Sequence, residues 1–327
     1  MIKYRDYPFK SVLTPYIRDF IAEKRALGFI YNNTSYQLYQ LDTYWYRHGY
    51  TDPHITLARL SEWLMARPGE SKAYHSARVT AAKGLSIYLN VHEIISDIPL
   101  ISIGADHPVV HILDQTELHQ FFDAVDSYVP QNCIKYDYLL ADEYPIIFRM
   151  LYCCGLRINE ACSLKVADVD FEEGILTILD GKNNKDRLVY LPEDLCILIK
   201  KYFVHLQKSI DYEPLWLFPG KTQDKHISKN TVERRFKMLW YKTKAASQCD
   251  KDPTPHCLRH GFVVNRMNRW VLEGVDINYM RSYLSKYLGH KDPDESFYYY
   301  HLVSDAFRIL KQKDTVSNDV IPEVRRI

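Results

Sequence analysis

The chain contains no apolar run approaching the roughly 18 residues of a membrane span, and its first residues, Met1 to Asp6, lack the basic-then-apolar pattern of a secretory leader. Neither export nor membrane insertion is expected, and the expected location is cytoplasmic. There is no CxxC and no HExxH, so metal-ligand spacing is missing and no bound metal is expected. Seven cysteines, with Cys153 and Cys154 adjacent, form an odd set that suits reduced buried thiols better than a disulfide framework. A surplus of one charge is also absent: 42 lysines and arginines face 41 aspartates and glutamates, a formal net charge of +1. Composition therefore does not announce a nucleic-acid binder, and any basic surface must be local. Internal repeats and low-complexity tracts are lacking as well.

What is there is a globular composition, 46% hydrophobic and 25% charged, which can bury sizeable cores. At roughly 100 to 200 residues per domain, 327 residues imply two domains. The first hundred read as helices. Tyr16, Phe20, Ile21 and Leu27 recur at helical intervals up to a break at Gly28, and a second pattern runs from Tyr36 through Trp45 to His48-Gly49. Thr56 is placed to cap a third helix, ended by Arg67-Pro68-Gly69, and a fourth covers about Lys72 to Asn90. Pro99 to Pro108, with Gly104 between, is the expected boundary, giving domains 1–105 and 106–327.

Beyond it Asp114 and Glu117 have capping-box spacing, and the pattern stays helical with one exception. Gly174 to Leu179 and Leu188 to Pro192 are β-rich runs around the polar connection 180–187, which predicts a hairpin. The expected fold is mainly α with a small β-sheet. Between Lys221 and His260, ten lysines and arginines oppose four acidic residues, a net +6. Within that stretch Asn230 is a candidate cap with Glu233 after it, and Val232, Phe236, Leu239 and Trp240 form an apolar stripe. Arg234, Arg235, Lys237 and Lys242 are then available to lie along a phosphate backbone. A solvated helix face is the plainer account of the same residues.

Four features of the second domain need one explanation. Gly155-Leu156-Arg157, with Glu160 three residues on, sets an arginine near the start of a new helix; a guanidinium offers a phosphate several donors in a rigid fork, and Glu160 can orient it. Lys182 sits on the hairpin connection with Lys185 and Arg187 near it. His256, Arg259 and His260 cluster beside a proline. Leu288-Gly289-His290 is followed by Tyr298-Tyr299-Tyr300-His301. Each alone has a bland reading: a surface ion pair, solvated turn lysines, a structural polar cluster, or tyrosines in a chain that has 26. Together, two arginines, a lysine and two or three histidines suit a pentavalent phosphoryl transition state, with a tyrosine hydroxyl as nucleophile and a lysine as acid for the leaving oxygen. No acidic metal cage accompanies them, so chemistry without metal or cofactor is expected.

These pieces, in this order, resemble the tyrosine recombinase or phage integrase family, over about residues 110 to 305. The resemblance implies a helical, SAM-like core-binding domain ahead of an α+β catalytic domain with a C-terminal tail. It further implies that Arg157 and Arg259 clamp the scissile phosphate, that Lys182 is the general acid, and that His256 and His290 assist proton transfer and phosphate contact. Tyr299, nine residues after His290, would be the nucleophile, with Glu160 and His301 in support and Tyr298 and Tyr300 as adjacent competitors. The implied partner is double-stranded DNA. Cleavage would give a 3′-phosphotyrosyl bond and a 5′-hydroxyl, and strand exchange would pass through a Holliday junction. Family members work as a tetramer on two sites, here as a homo-oligomer or with a partner recombinase, closing around DNA as a C-shaped clamp.

Leu302 to Leu310 is amphipathic and can dock on a neighbouring protomer or on its own domain. No separate arm-binding module is expected ahead of the first domain. Acidic residues such as Asp168, Asp170, Glu172 and Glu173 must face away from DNA. The alternative in a different class is an accessory DNA-binding protein of the same fold without chemistry; a nicking and resealing, topoisomerase-like activity uses the same residues without exchange.

Overall fold

Apolar residues three and four apart turn the N-terminal part into helices. In the computed structural model, which describes residues 4–104, 111–130, 135–179 and 186–289, these are α1 (Thr14–Ala26), α2 (Asn32–Arg47), α3 (Leu57–Leu64) and α4 (Lys72–Val91). Thr56 caps α3 by accepting the Arg59 N–H at 3.2 Å, and Ser71 caps α4 from Tyr74 at 3.2 Å. Leu38, Leu41, Trp45, Trp63, Leu85 and Leu89 fill the core. Arg78, wholly buried, donates to both oxygens of Glu70 at 2.7 and 2.8 Å and to the carbonyls of Trp63 and Met65. Those bonds hold the Glu70 carboxyl down at about 2. All of this lies in the first of two units into which the chain divides, Met1–Val109 and Val110–Ile327.

The second unit begins with α5 (Gln115–Asp126), opened by a capping box in which Asp114 accepts the Glu117 N–H at 2.8 Å and Glu117 accepts the Asp114 N–H at 2.9 Å. Then follow α6 (Lys135–Cys153), α7 (Ile158–Cys162), β1 (Val169–Asp170), β2 (Ile175–Ile178), β3 (Arg187–Tyr190), α8 (Glu193–Ser209), α9 (Lys229–Trp240), α10 (His256–Leu272) and α11 (Ile277–Leu288). The unit is therefore mainly helical with one antiparallel sheet, in the order β1-β2-β3. Leu176 pairs with Val189 and both face the core, while their strand neighbours Thr177 and Leu188 turn outward. The hairpin has the strands expected. The third strand, β1, was not anticipated, because two residues are too few to show an alternation. A second correction concerns α9: Ser228, not Asn230, is its cap, accepting the Thr231 N–H at 3.1 Å.

α6 is the central helix of this unit and packs against α8 and α10, burying Ile147, Phe148 and Leu151. It also buries a carboxyl. Glu143 is wholly inaccessible, bonded through Oε1 to the Tyr202 hydroxyl on α8 at 3.1 Å, and burial raises it well above the ordinary carboxylate range. A carboxyl raised on folding stabilises least at high pH, since the unfolded chain ionises first and stability falls as pH climbs above about 4.3, the usual glutamate value. Glu143→Gln removes that ionisation with little change of shape. Its melting temperature relative to wild type should therefore be higher at pH 8 than at pH 5, and an equal difference at both would refute the assignment. The six described cysteines are free, and burial pushes the Cys162 thiol up to about 12. Among the described residues no helix is long and apolar enough to cross a membrane.

Candidate active site

Gly155 ends α6. Its φ is +64°, and a Cβ there would stand 2.5 Å from Phe262 Cδ1 on α10, so only glycine lets the chain turn this close to that helix. Two residues on, Arg157 is extended and directly precedes α7. Glu160, in the first turn of α7, accepts the Arg157 backbone N–H at 2.8 Å and Nη1 of its side chain at 2.9 Å.

Glu160 holds a second cation. Arg187, the first residue of β3, sets Nη1 and Nη2 at 2.9 and 2.7 Å from the two carboxylate oxygens. Burial acts to raise the Glu160 carboxyl, but hydrogen bonds and charge from Arg187, followed by the bonds from Arg157, outweigh it and keep the group below its ordinary value. It is a carboxylate at neutral pH.

The two arginines meet a third at the end of α11. Arg187 Nε donates to the Tyr287 carbonyl at 2.7 Å, Arg259 Nη2 to the Leu288 carbonyl at 2.8 Å, and Arg157 Nη2 to the Gly289 carbonyl at 2.7 Å. Arg259, on α10 and 2% exposed, also donates Nη1 to the Gly155 carbonyl at 2.5 Å. The last carbonyls of a helix have no partner within it and carry the negative end of its dipole, so cations settle there. Among the described residues, the three guanidiniums and one carboxylate of this cluster carry a positive surplus that suits an anion. Beside it opens a cleft of about 600 Å³ lined by Arg157, Asn159, Lys165, Asp168, Thr177 and Trp216 among others. His256, exposed in the first turn of α10, meets the ring of His260 edge to face at 4.3 Å between centroids.

A model described as the phage integrase family matches residues 111–305, more than half of the chain. The chain belongs to the phage integrase family, the tyrosine recombinases. Tyrosine recombinase XerA of Pyrococcus furiosus is 36% identical over 42% of this chain and 44% of its own length. A provisionally named integrase/recombinase y4rB of Sinorhizobium fredii is 25% identical over 91% of this chain and 96% of its own. The chain spans about half the length of most of the curated recombinases it matches. In fold it is similar to the XerH site-specific recombinase bound to a palindromic difH substrate, with TM-score 0.65 at 20% identity, covering 88% of this chain and 79% of that one. It is similar too to the Tn1549 transposon integrase in complex with transposon right end DNA, with TM-score 0.65 at 16% identity, covering 91% and 98%.

Of the residues singled out from the sequence of this phage integrase family member, Arg157, Glu160 and Arg259 come together at the end of α11. Lys182, Lys185, His290, Tyr299 and His301 lie outside the described residues, as do Tyr298 and Tyr300. Arg187, expected to lie against DNA, is instead 7% exposed with its guanidinium on Glu160 and the Tyr287 carbonyl. Spacing could not reveal this, because Tyr287 is 100 residues away in the chain. On α9, Arg234 and Lys237 are exposed, and Lys237 Nζ is 3.7 Å from Asp252. Arg235 is half-buried, with its guanidinium 4.1 Å from the Tyr128 ring and 5.0 Å from that of Tyr144; just past the helix, Lys242 Nζ stands 5.8 Å from Tyr128.

Proposed function

We propose that this tyrosine recombinase is a site-specific DNA recombinase acting through a 3′-phosphotyrosyl intermediate. Tyr299 Oη attacks the scissile phosphorus as its proton passes to His256, and the bond to the 5′ oxygen breaks as that oxygen takes a proton from Lys182. Arg157 and Arg259 hold the non-bridging oxygens, whose charge rises in the transition state, with His256 and His290 assisting. The freed 5′-hydroxyl of a partner duplex then attacks the phosphotyrosine and restores the tyrosine. Because each step exchanges one phosphodiester for another, no high-energy cofactor is needed. Exchange of both strand pairs passes through a Holliday junction on a tetramer spanning two sites, built from this chain alone or with a partner recombinase. Residues 1–105 serve as the core-binding domain and 106–327 as the catalytic domain, with the exposed Arg234 and Lys237 of α9 towards DNA.

The observation that carries this reading is the convergence of Arg157 and Arg259, from separate elements, on the adjacent carbonyls of Gly289 and Leu288. That convergence gives two cationic forks one place to act, next in the chain to His290. The test uses duplexes tiled across the DNA flanking the gene, each nicked near a candidate crossover so that cleavage traps the protein. A denaturation-resistant protein–DNA adduct is expected. Sequence-specific binding on such a duplex with no adduct would overturn the reading in favour of an accessory DNA-binding protein.

A further inference from the structure

Arg187 belongs to none of the groups that touch DNA in the proposed reaction, yet one guanidinium ties together three segments distant in sequence. Its Nη atoms hold Glu160 in the turn that carries Arg157, its Nε holds the Tyr287 carbonyl at the end of α11, and its backbone is the first residue of β3, at the base of the hairpin. We infer that Arg187 is a positioning residue, which sets Arg157 for phosphate contact by sharing Glu160 and pinning the end of α11. The inference rests on the recombinase reading and extends it.

The sharing is visible in one atom. Glu160 Oε1 accepts from Arg157 Nη1 and from Arg187 Nη1, both at 2.9 Å, while Oε2 takes Arg187 Nη2 at 2.7 Å and the Arg157 backbone N–H at 2.8 Å. Arg157 therefore meets a carboxylate whose charge is largely committed elsewhere, and its Nη2 remains on the Gly289 carbonyl. Without Arg187 the same carboxylate has Arg157 as its one remaining guanidinium among these bonds. A two-pronged ion pair is the preferred geometry for that couple, and forming it draws Nη2 away from Gly289 and neutralises a charge that phosphate needs. The Tyr287 carbonyl would lose the Arg187 Nε–H at the same time. Gly289 completes the fit: at φ +65°, a Cβ there would lie 3.1 Å from Arg187 Nη1 and 3.3 Å from Arg157 Nη1.

A merely structural ion pair would lower stability and leave the chemistry of the folded fraction alone, so the test separates the two in stages. In the DNA-free protein, the arginine Nε–H nuclear magnetic resonance signal of Arg157, assigned by its loss in Arg157→Lys, should shift in Arg187→Gln. An unchanged signal overturns the inference whether or not any DNA is cleaved. On a nicked duplex that wild type cleaves, Arg187→Gln should slow single-turnover adduct formation about 100-fold, the cost of a misplaced catalytic group, with the dissociation constant for the same duplex within about threefold. Arg187→Lys keeps the charge but not the fork, so it should recover part of the rate; it also serves if the glutamine variant does not fold. In an Arg157→Lys background Arg187→Gln should have almost no further effect on rate, whereas full multiplication of the two losses would mean that Arg187 does not act through Arg157. Absence of any wild-type adduct removes the recombinase reading and leaves the resonance of Arg157 to decide whether Arg187 positions it.

Discussion

Phenylalanine at position 299 is expected to abolish the covalent protein–DNA adduct outright while leaving DNA affinity within about twofold. Covalent catalysis depends on one nucleophilic oxygen, and phenylalanine removes that atom alone, keeping the ring. Tyr298 and Tyr300 flank it, but one scissile phosphate meets one hydroxyl in a given geometry, so neither should take its place: Tyr298→Phe and Tyr300→Phe should both still form adduct. The measurement is adduct yield on a nicked duplex, resolved under denaturing conditions, with binding followed separately. Adduct persisting in Tyr299→Phe, and vanishing in one of the neighbouring variants, would move the nucleophile by one residue. Persistence in all three would exclude a tyrosine at this position from the chemistry.

Arg259→Ala should have the second largest effect, and it should act on two properties at once. The guanidinium is nearly inaccessible and satisfies the Gly155 and Leu288 carbonyls. Deleting it strands two buried acceptors, at about 1–3 kcal/mol each, so the denaturation midpoint should fall markedly. If Arg259 also meets charge that develops on the phosphate, cleavage should fall by about 10²–10³-fold, as for other single transition-state donors. Affinity for the uncleaved duplex should change much less. Arg259→Lys separates the two effects: it retains a cation in the same space and folds more readily, yet it cannot hold both carbonyls and a phosphate together. Parallel losses of binding and cleavage in the lysine variant would reduce Arg259 to a general phosphate contact.

Local signals were legible where the chemistry is local. Thr56 and Asp114 cap α3 and α5 because a short polar side chain reaches a backbone N–H three residues on. The hairpin strands around residues 180–185 could be read from β-rich runs flanking a polar connection. The start of α9 was misplaced by two residues because Ser228 and Asn230 are both good caps, and which one is used depends on where the apolar stripe of Val232, Phe236, Leu239 and Trp240 meets the core. β1 went unseen because its two residues form a strand only by pairing with β2.

The sequence by itself determined the four helices of the first unit, the mainly helical character of the second with one hairpin, and the motifs that mark the phage integrase family, since each rests on residues within a few positions of one another. Only the tertiary structure decided which groups Arg187 bonds and why Glu160 stays charged. Arg157 reaches Gly289 across 132 positions, Arg259 reaches Gly155 across 104, and Arg187 reaches Tyr287 across 100. No periodicity encodes such contacts. They exist because the last carbonyls of α11 lack partners within the helix, and packing brings three guanidiniums from α10, β3 and the turn before α7 to satisfy them.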